Sequence, residues 1–219
     1  MRKKRIIDYC NDVPKRHTLT PVQRQNLHMY SESLARRIEE AQYGMHEVEA
    51  LYDQPDMEST EILGSLNTRM SYRCAVFWTM SYSVFDILAN AANTVHEVET
   101  EERRVSFKVI RAPDWSKAVA LLKEATHVQS RPYFKRLDSL RNCALHRRSV
   151  YLEKHEIDVD AAYLPYDSTG PLKAQRQWLV CDDPNATPPT TSAHIELRQE
   201  CVKILKGLLE DVVKLLKSI

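Results

Sequence analysis

Two long stretches in the first half of the chain repeat apolar residues at the three-to-four-residue spacing of an α-helix. The first begins at Thr20, Pro21 and Gln23, where a capping hydroxyl, a proline at the first helical position and a glutamine at the third favour a helix start. Apolar or small residues recur from there to about residue 52, and a second stripe runs from Ile62 to about residue 97. Together they predict an antiparallel helical hairpin.

The second half of the chain predicts shorter helices. Asp114 is a candidate N-cap for a helix with Trp115, Val119 and Leu122 facing inward. A further helix restarts at Pro132, and its expected buried side carries Tyr133, Leu137, Leu140 and Ala144. A last helix begins at about Ser192, and its expected apolar seam consists of Ile195, Val202, Leu205, Leu209, Val212, Leu216 and Ile219.

Residues 149–190 differ from these helical stretches. Apolar and polar residues alternate from Val150 to Val159, turn-forming residues follow, and a second extended run ends at Val180. This pattern predicts a β-hairpin insertion. The predicted fold is therefore all-α: an up-and-down bundle of about five helices with a small β-hairpin between the helix that starts at Pro132 and the last helix.

Composition supports one ordinary globular domain over residues 20–219. The chain is 43% apolar and 28% charged, which is typical of such domains. Four glycines in 219 residues disfavour a many-stranded barrel or sandwich. Because residues 1–19 open on a basic run, we expect them to form a flexible tail. No apolar run is long enough for a membrane span and no signal peptide is evident, so we expect a cytoplasmic protein that does not bind membranes.

Five cysteines without a C-x-x-C pair disfavour a disulfide framework and a four-cysteine zinc site. Cys143, His146 and His155 could share a metal, but no second closely spaced pair supports such a site. We therefore predict reduced thiols, no metal and no other cofactor.

The net charge of +1 hides a basic segment at residues 130–148, where six basic residues face the single acid Asp138. Within this segment stand Arg141, Asn142 and His146. An arginine can grip a phosphate and neutralise developing charge, and a histidine can move a proton near neutral pH. Cleavage of RNA at a phosphodiester requires both functions. These residues are the candidate catalytic group.

The run from Leu140 to His146 resembles the Arg-polar-x3-His signature of the HEPN superfamily, all-helical domains common among prokaryotic toxins and antiviral effectors. The resemblance implies a metal-independent endoribonuclease that cleaves RNA by transesterification through the 2′-hydroxyl. In this reading His146 removes or donates a proton, Arg141 stabilises the charged transition state, and Asn142 orients the imidazole or a phosphate oxygen. The products would carry a 2′,3′-cyclic phosphate, or its hydrolysed form, and a 5′-hydroxyl.

The resemblance also implies partners. In the family two protomers usually bring their motifs into one cleft, so we expect a homodimer. Candidate contacts to the RNA backbone are Arg131, Arg136, Arg147 and Arg148. An antitoxin or regulatory protein is a further expected partner. In the toxin branch controlled by nucleotidyltransferase antitoxins a tyrosine usually stands two places after the histidine. Arg148 occupies that place here, which disfavours regulation by tyrosine modification.

Two other interpretations compete with the ribonuclease. One is a non-catalytic HEPN-like module that binds RNA, a nucleotide or a protein; the other is a plain helical protein in which Arg141 pairs with Asp138 and His146 bonds to a helix end. Helix geometry bears on the choice. On a regular helix Arg141 lies about 140° around the axis from His146, so the arginine must reach around the helix or the helix must be distorted.

Overall fold

The structure, a computed structural model, describes residues 3–52, 60–98, 104–111, 113–146, 152–157, 175–180 and 195–219. Within these ranges six α-helices run in the order α1 Lys3–Arg16, α2 Pro21–Tyr52, α3 Thr60–His96, α4 Val119–Ser130, α5 Pro132–His146 and α6 Leu197–Ser218. Two 3-10 helices, Phe107–Arg111 and Pro113–Lys117, connect α3 to α4. The strands are β1 Leu152–Ile157, β2 Gln175–Val180 and β3 Ile195–Glu196. The predicted all-α bundle with a β-hairpin between α5 and α6 is confirmed.

Helices α2 and α3 form the predicted antiparallel hairpin. The start of α2 is a capping box, because the backbone N–H of Gln23 donates to Oγ1 of Thr20 at 3.2 Å and the Thr20 N–H donates to Oε1 of Gln23 at 2.8 Å. Nε2 of Gln23 also donates to the carbonyl of Thr94 near the end of α3, at 3.1 Å. The first turn of one helix therefore lies beside the last turns of the other.

The predicted flexible tail over residues 1–19 is wrong for Lys3–Arg16, which forms α1. Ile6, Cys10 and Val13 are buried in the core, and α1 packs against α2 and α6. These three residues recur at helical spacing and form an apolar stripe. The guanidinium of Arg16 holds the helix in place by donating to the carbonyls of Leu216 and Lys217. The flexible tail was predicted from the basic run at the start of the chain, and that prediction did not take this apolar stripe into account.

The starts of α4 and α6 differ from the predictions. Helix α4 begins at Val119, with Ala118 rather than Asp114 at its N-cap. Val119, predicted to face inward, is 70% exposed, whereas Trp115 is buried as predicted. Helix α6 begins at Leu197 because the side chain of Glu196 accepts hydrogen bonds from the backbone N–H groups of Arg198 and Gln199.

The β-hairpin lies between α5 and α6 in sequence and packs by way of β2 on α6. Strands β1 and β2 are antiparallel, with Leu152 opposite Val180, and β2 also pairs with β3. Leu152, Leu179 and Val180 are buried. Among the described residues, no helix has both the length and the apolar character that a membrane span needs.

Gly207 allows α6 to approach α5 closely. A Cβ atom at this position would lie 2.6 Å from Cδ1 of Tyr133, and the hydroxyl of that tyrosine is fixed by a 2.6 Å hydrogen bond to Oδ2 of Asp211. We expect Gly207→Ala to lower the free energy of unfolding by about 1–2 kcal/mol, because overpacking costs more than the gain in helix propensity. Denaturant titration measures the change.

Gly44→Ala is the matched control, since a Cβ there would lie further from its neighbours, at 3.3 Å from Cα and 3.4 Å from Cβ of Phe77. We expect a smaller loss of stability for this variant. A Gly207→Ala protein as stable as the parent would show that α5 and α6 are not packed this closely.

Candidate functional site

Helix α5 carries the predicted motif on an uninterrupted α-helix. Its buried side holds Leu137, Leu140 and Cys143, as the helical spacing requires. Asp138, Arg141 and Asn142 are each only partly exposed. His146 is the last residue of α5, and its side chain lies outside the described part of the structure. The predicted RNA-binding residues at positions 147 and 148, both arginines, lie outside the described residues as well.

Asn142 orients the guanidinium of Arg141. Nη1 of Arg141 donates to Oδ1 of Asn142 at 2.9 Å, and Nδ2 of Asn142 donates to Oδ1 of Asp138 at 3.1 Å. Both functional atoms of the amide are therefore engaged within α5. The sequence predicted that Asn142 orients the imidazole or a phosphate oxygen. Within the described part of the chain its role is to hold the arginine, and the helix accommodates this contact without a break.

Tyr82 supports the other side of the guanidinium. Cζ of Arg141 lies 4.8 Å from the centroid of the Tyr82 ring, a cation–π distance. Tyr82 is 3% exposed and stands on α3, so this contact joins α3 to the motif. Burial, together with the carboxylates of Asp138 and Asp86, raises the pKa of the Tyr82 phenol. The ring is thus a neutral platform for the arginine at physiological pH.

Asp86 is a partly buried carboxylate one helical turn after Tyr82. Its Oδ1 accepts a 2.9 Å hydrogen bond from the backbone N–H of Phe107. Burial raises the pKa of Asp86, and this effect outweighs the stabilisation of the charged form by the Phe107 N–H and by Arg141 and Lys108. Asp86 was not among the site residues predicted from the sequence. Its signal is an acid inside the apolar stripe of α3.

Lys108, on the 3-10 helix Phe107–Arg111, contacts the motif helix α5. Its Nζ lies 2.9 Å from Oδ2 of Asp138, and the lysine side chain is 51% exposed. Asp138 therefore joins Lys108 to Asn142, and Asn142 joins Asp138 to Arg141. We call this group the α3–α5 polar cluster; its members are Tyr82, Asp86, Lys108, Asp138, Arg141 and Asn142.

The raised pKa of Asp86 predicts a pH dependence of stability. The folded state holds the proton of Asp86 more tightly than the unfolded state, whose pKa is near the ordinary 3.8. The stability that this proton contributes is present below pH 3.8 and is lost as the pH rises through the raised pKa. Asparagine at this position can still accept from Phe107 but does not titrate. Relative to Asp86→Asn, the wild type should therefore lose stability as the pH increases.

Denaturant titration of both proteins across this pH range measures the difference. Asp12→Asn is the control. A hydrogen bond and ion pair with Lys15 lower the pKa of the exposed Asp12, so the wild type should gain stability relative to Asp12→Asn as the pH rises. A wild type that gains stability relative to Asp86→Asn as the pH rises would contradict the burial argument.

Arg131 and Arg136, both predicted to contact RNA, are held by carboxylates of α6. Nη1 of Arg131 pairs with the fully buried Asp211. Nε of Arg136 pairs with Oε1 of Glu200 at 3.1 Å, and these two side chains are 13% and 8% exposed. The described contacts give both arginines a role in packing α5 and its start against α6. Their predicted contacts with RNA stay predictions.

The cysteines that the structure describes form no disulfide. Cys10, Cys74, Cys143 and Cys201 are all buried, and burial raises the pKa of the Cys10, Cys74 and Cys201 thiols. Among the residues with described side chains, no group of three or more His, Cys, Asp or Glu is placed to hold a metal ion.

A groove of about 370 Å³ lies between α2 and α3. Its lining contains the apolar residues Val76 and Met80 together with Tyr43. Two ion pairs border it, Arg37 with Glu40 at 2.7 Å and Arg73 with Glu47 at 2.9 Å. None of the residues of the α3–α5 polar cluster lines this groove, so it is a separate surface.

Comparisons of the chain with models of protein families, with characterised proteins and with solved structures find no match. The resemblance to the HEPN superfamily therefore depends on the motif of α5 and on the helical architecture around it.

Proposed function

We propose that this protein is a metal-independent endoribonuclease of the HEPN type that acts as a toxin or antiviral effector. The observation that supports it best is the setting of Arg141: its guanidinium lies over the Tyr82 ring and is hydrogen-bonded to Asn142. This arginine stands on the same helix as His146. An oriented guanidinium on the same helix as a histidine suits phosphodiester transesterification.

The contacts of Arg141 with Tyr82 and Asn142 favour a role in stabilising negative charge in the transition state. A guanidinium has five N–H donors in a fixed plane, and the hydrogen bond to Asn142 uses one of them. The ring of Tyr82 and the amide together restrict the plane of the guanidinium before any substrate binds. Donors that are fixed in advance stabilise developing negative charge more effectively than donors that must reorganise. In the proposed reaction Arg141 binds the non-bridging oxygens of the scissile phosphate.

His146 supplies proton transfer in the proposed reaction. Along a regular helix its Cα lies about 7.5 Å further on than that of Arg141, a separation that a long arginine side chain and a bound phosphodiester can span. Attack by the 2′-hydroxyl needs a base, and departure of the 5′-oxygen needs an acid. Because each chain has one motif, we propose a homodimer in which the histidine of the second protomer takes the other role.

Cleavage of matched oligonucleotides in EDTA tests this proposal. RNA of mixed sequence should be cut, whereas DNA and 2′-O-methyl RNA of the same sequence should stay intact, because both lack the internal nucleophile. Cleavage of the DNA, or cleavage that stops when EDTA is added, would contradict the proposed mechanism.

A non-catalytic interaction module is the second candidate, and the groove between α2 and α3 favours it. Its apolar lining and charged borders are suited to a protein segment. Intact RNA in the assay above, with a stable protein complex recovered through this groove, would favour the module over the enzyme. Met80→Lys is the discriminating variant: it should disrupt such a complex if the protein is an interaction module, and it should leave RNA cleavage unchanged if the protein is the proposed ribonuclease.

A further inference from the structure

We propose that Lys108 is a second phosphate-binding residue of this site, and that it and Arg141 together hold the RNA backbone. The inference rests on the proposed ribonuclease function and adds to it a cation from outside the motif. Lys108 belongs to the connector between α3 and α4, about 30 residues before the motif in sequence. Three contacts join it to Arg141 through Asp138 and Asn142.

The backbone next to Lys108 is fixed on both sides. The N–H of Phe107 donates to Asp86 at 2.9 Å, and its carbonyl accepts from Nε2 of Gln129 at 2.6 Å. The Phe107 ring is fully buried and lies 5.0 Å from the ring of Phe85 and 5.5 Å from that of Phe134. Lys108 therefore starts from a rigid position at the edge of the core, and its charged end is the part that reaches solvent.

The two cations share the same surroundings. Asp138 accepts from Lys108 through Oδ2 and from Asn142 through Oδ1. Asp86 also lies close enough to both Lys108 and Arg141 for each to lower its pKa. Lys108 and Arg141 therefore lie near the same two carboxylates, those of Asp86 and Asp138. Arg141 is held in one orientation, whereas Lys108 is half exposed. Such a site can exchange a carboxylate for a phosphate.

Asp138 keeps Lys108 in place until RNA binds. The lysine side chain of this pair is half exposed, and such an ion pair contributes little to stability because water competes for the ammonium group. A phosphodiester carries one negative charge on two non-bridging oxygens, the same charge and number of strong acceptors as the Asp138 carboxylate, so Lys108 can change from one partner to the other at small cost. Arg141 remains oriented by Asn142 and Tyr82 during this exchange.

The test measures binding of a 2′-O-methyl RNA oligonucleotide, which cannot be cleaved, at several salt concentrations. Lys108→Ala should weaken binding about 3–10-fold and lower the salt dependence by about one released counterion. Lys108→Arg should restore most of the affinity. Lys123→Ala is the matched control, since Lys123 is an exposed lysine on α4, and it should bind like the wild type. Circular dichroism checks that each variant is folded.

The outcomes separate this inference from the proposed function. Wild-type affinity in Lys108→Ala, equal effects of Lys108→Ala and Lys123→Ala, or no binding by the wild type would each overturn the role of Lys108. If the wild type binds the oligonucleotide in a Lys108-dependent manner but leaves ordinary RNA intact, the phosphate site stands and the ribonuclease proposal fails. If RNA is cleaved equally well by wild type and Lys108→Ala and both bind equally, only the inference fails.

Discussion

His146→Ala should reduce the rate constant for RNA cleavage at least about a hundredfold, because a positioned acid or base contributes about 10²–10⁴ to such reactions. The expected cause is loss of proton transfer and not loss of folding, since His146 is the last residue of α5. Single-turnover cleavage of labelled RNA in EDTA measures the rate constant. His127→Ala, at an exposed position on α4, is the control and should cleave at the wild-type rate.

The same assay extends to Arg141. Arg141→Ala should lower the rate constant by about 10²–10³, the usual loss on removing a group that stabilises transition-state charge. Arg141→Lys should recover little activity, because an ammonium group lacks the plane that lies over Tyr82 and the fork that binds phosphate. Arg69→Ala, at an exposed position on α3, is the control. Wild-type rates in His146→Ala or Arg141→Ala would remove these residues from the reaction.

Asp211→Ala should lower the free energy of unfolding by about 3–5 kcal/mol, the usual cost of removing one member of a buried charged network. The Asp211 side chain is fully buried. It pairs with Nη1 of Arg131 and accepts a 2.6 Å hydrogen bond from the hydroxyl of Tyr133. Alanine would leave both donors without their acceptor inside the contact between α5 and α6. Denaturant titration gives the free energy.

Glu210→Ala is the matched control for Asp211. Glu210 is the preceding acid, its side chain is 49% exposed, and it lies 3.6 Å from Nη2 of Arg131. Because exposed ion pairs contribute little, its removal should change stability by less than about 1 kcal/mol. Equal effects of the two substitutions would show that the buried network does not hold α6 to the bundle.

Helices α2, α3 and α5 could be predicted because their signals are local. A capping box marks the start of α2, Pro132 marks the start of α5, and uninterrupted apolar spacing marks the length of α3. The β-hairpin was predictable from alternation of apolar and polar residues. These patterns depend on neighbouring residues and need no knowledge of tertiary contacts.

The predicted apolar seam of α6 was right in part: Val212, Leu216 and Ile219 are buried, whereas Ile195 lies in β3 before the helix. Val202, placed in the predicted seam, is 43% exposed, whereas Ile204, Leu208 and Asp211 are fully buried. A buried aspartate is unfavourable without partners, and its partners Arg131 and Tyr133 stand about 80 residues earlier. The burial of Asp211 thus depends on long-range pairing that hydropathy does not record.

The candidate site was predictable only on its own helix. Arg141 and Asn142 were found because they are adjacent in a motif, and the structure brings their side chains into contact. Tyr82, Asp86 and Lys108 were not found, because α3 and the connector reach the motif only in the folded chain. Asp86 alone leaves a sequence signal, as an acid between Phe85 and Ile87 in an apolar stretch.

The most direct test of the central proposal is the chemistry of the RNA ends produced in EDTA by wild type and by His146→Ala. Transesterification by the 2′-hydroxyl predicts a 2′,3′-cyclic phosphate on one fragment and a 5′-hydroxyl on the other from the wild type, and intact RNA from the variant. Fragments with a 3′-hydroxyl and a 5′-phosphate, identical cleavage by both proteins, or intact RNA with the wild type would contradict it.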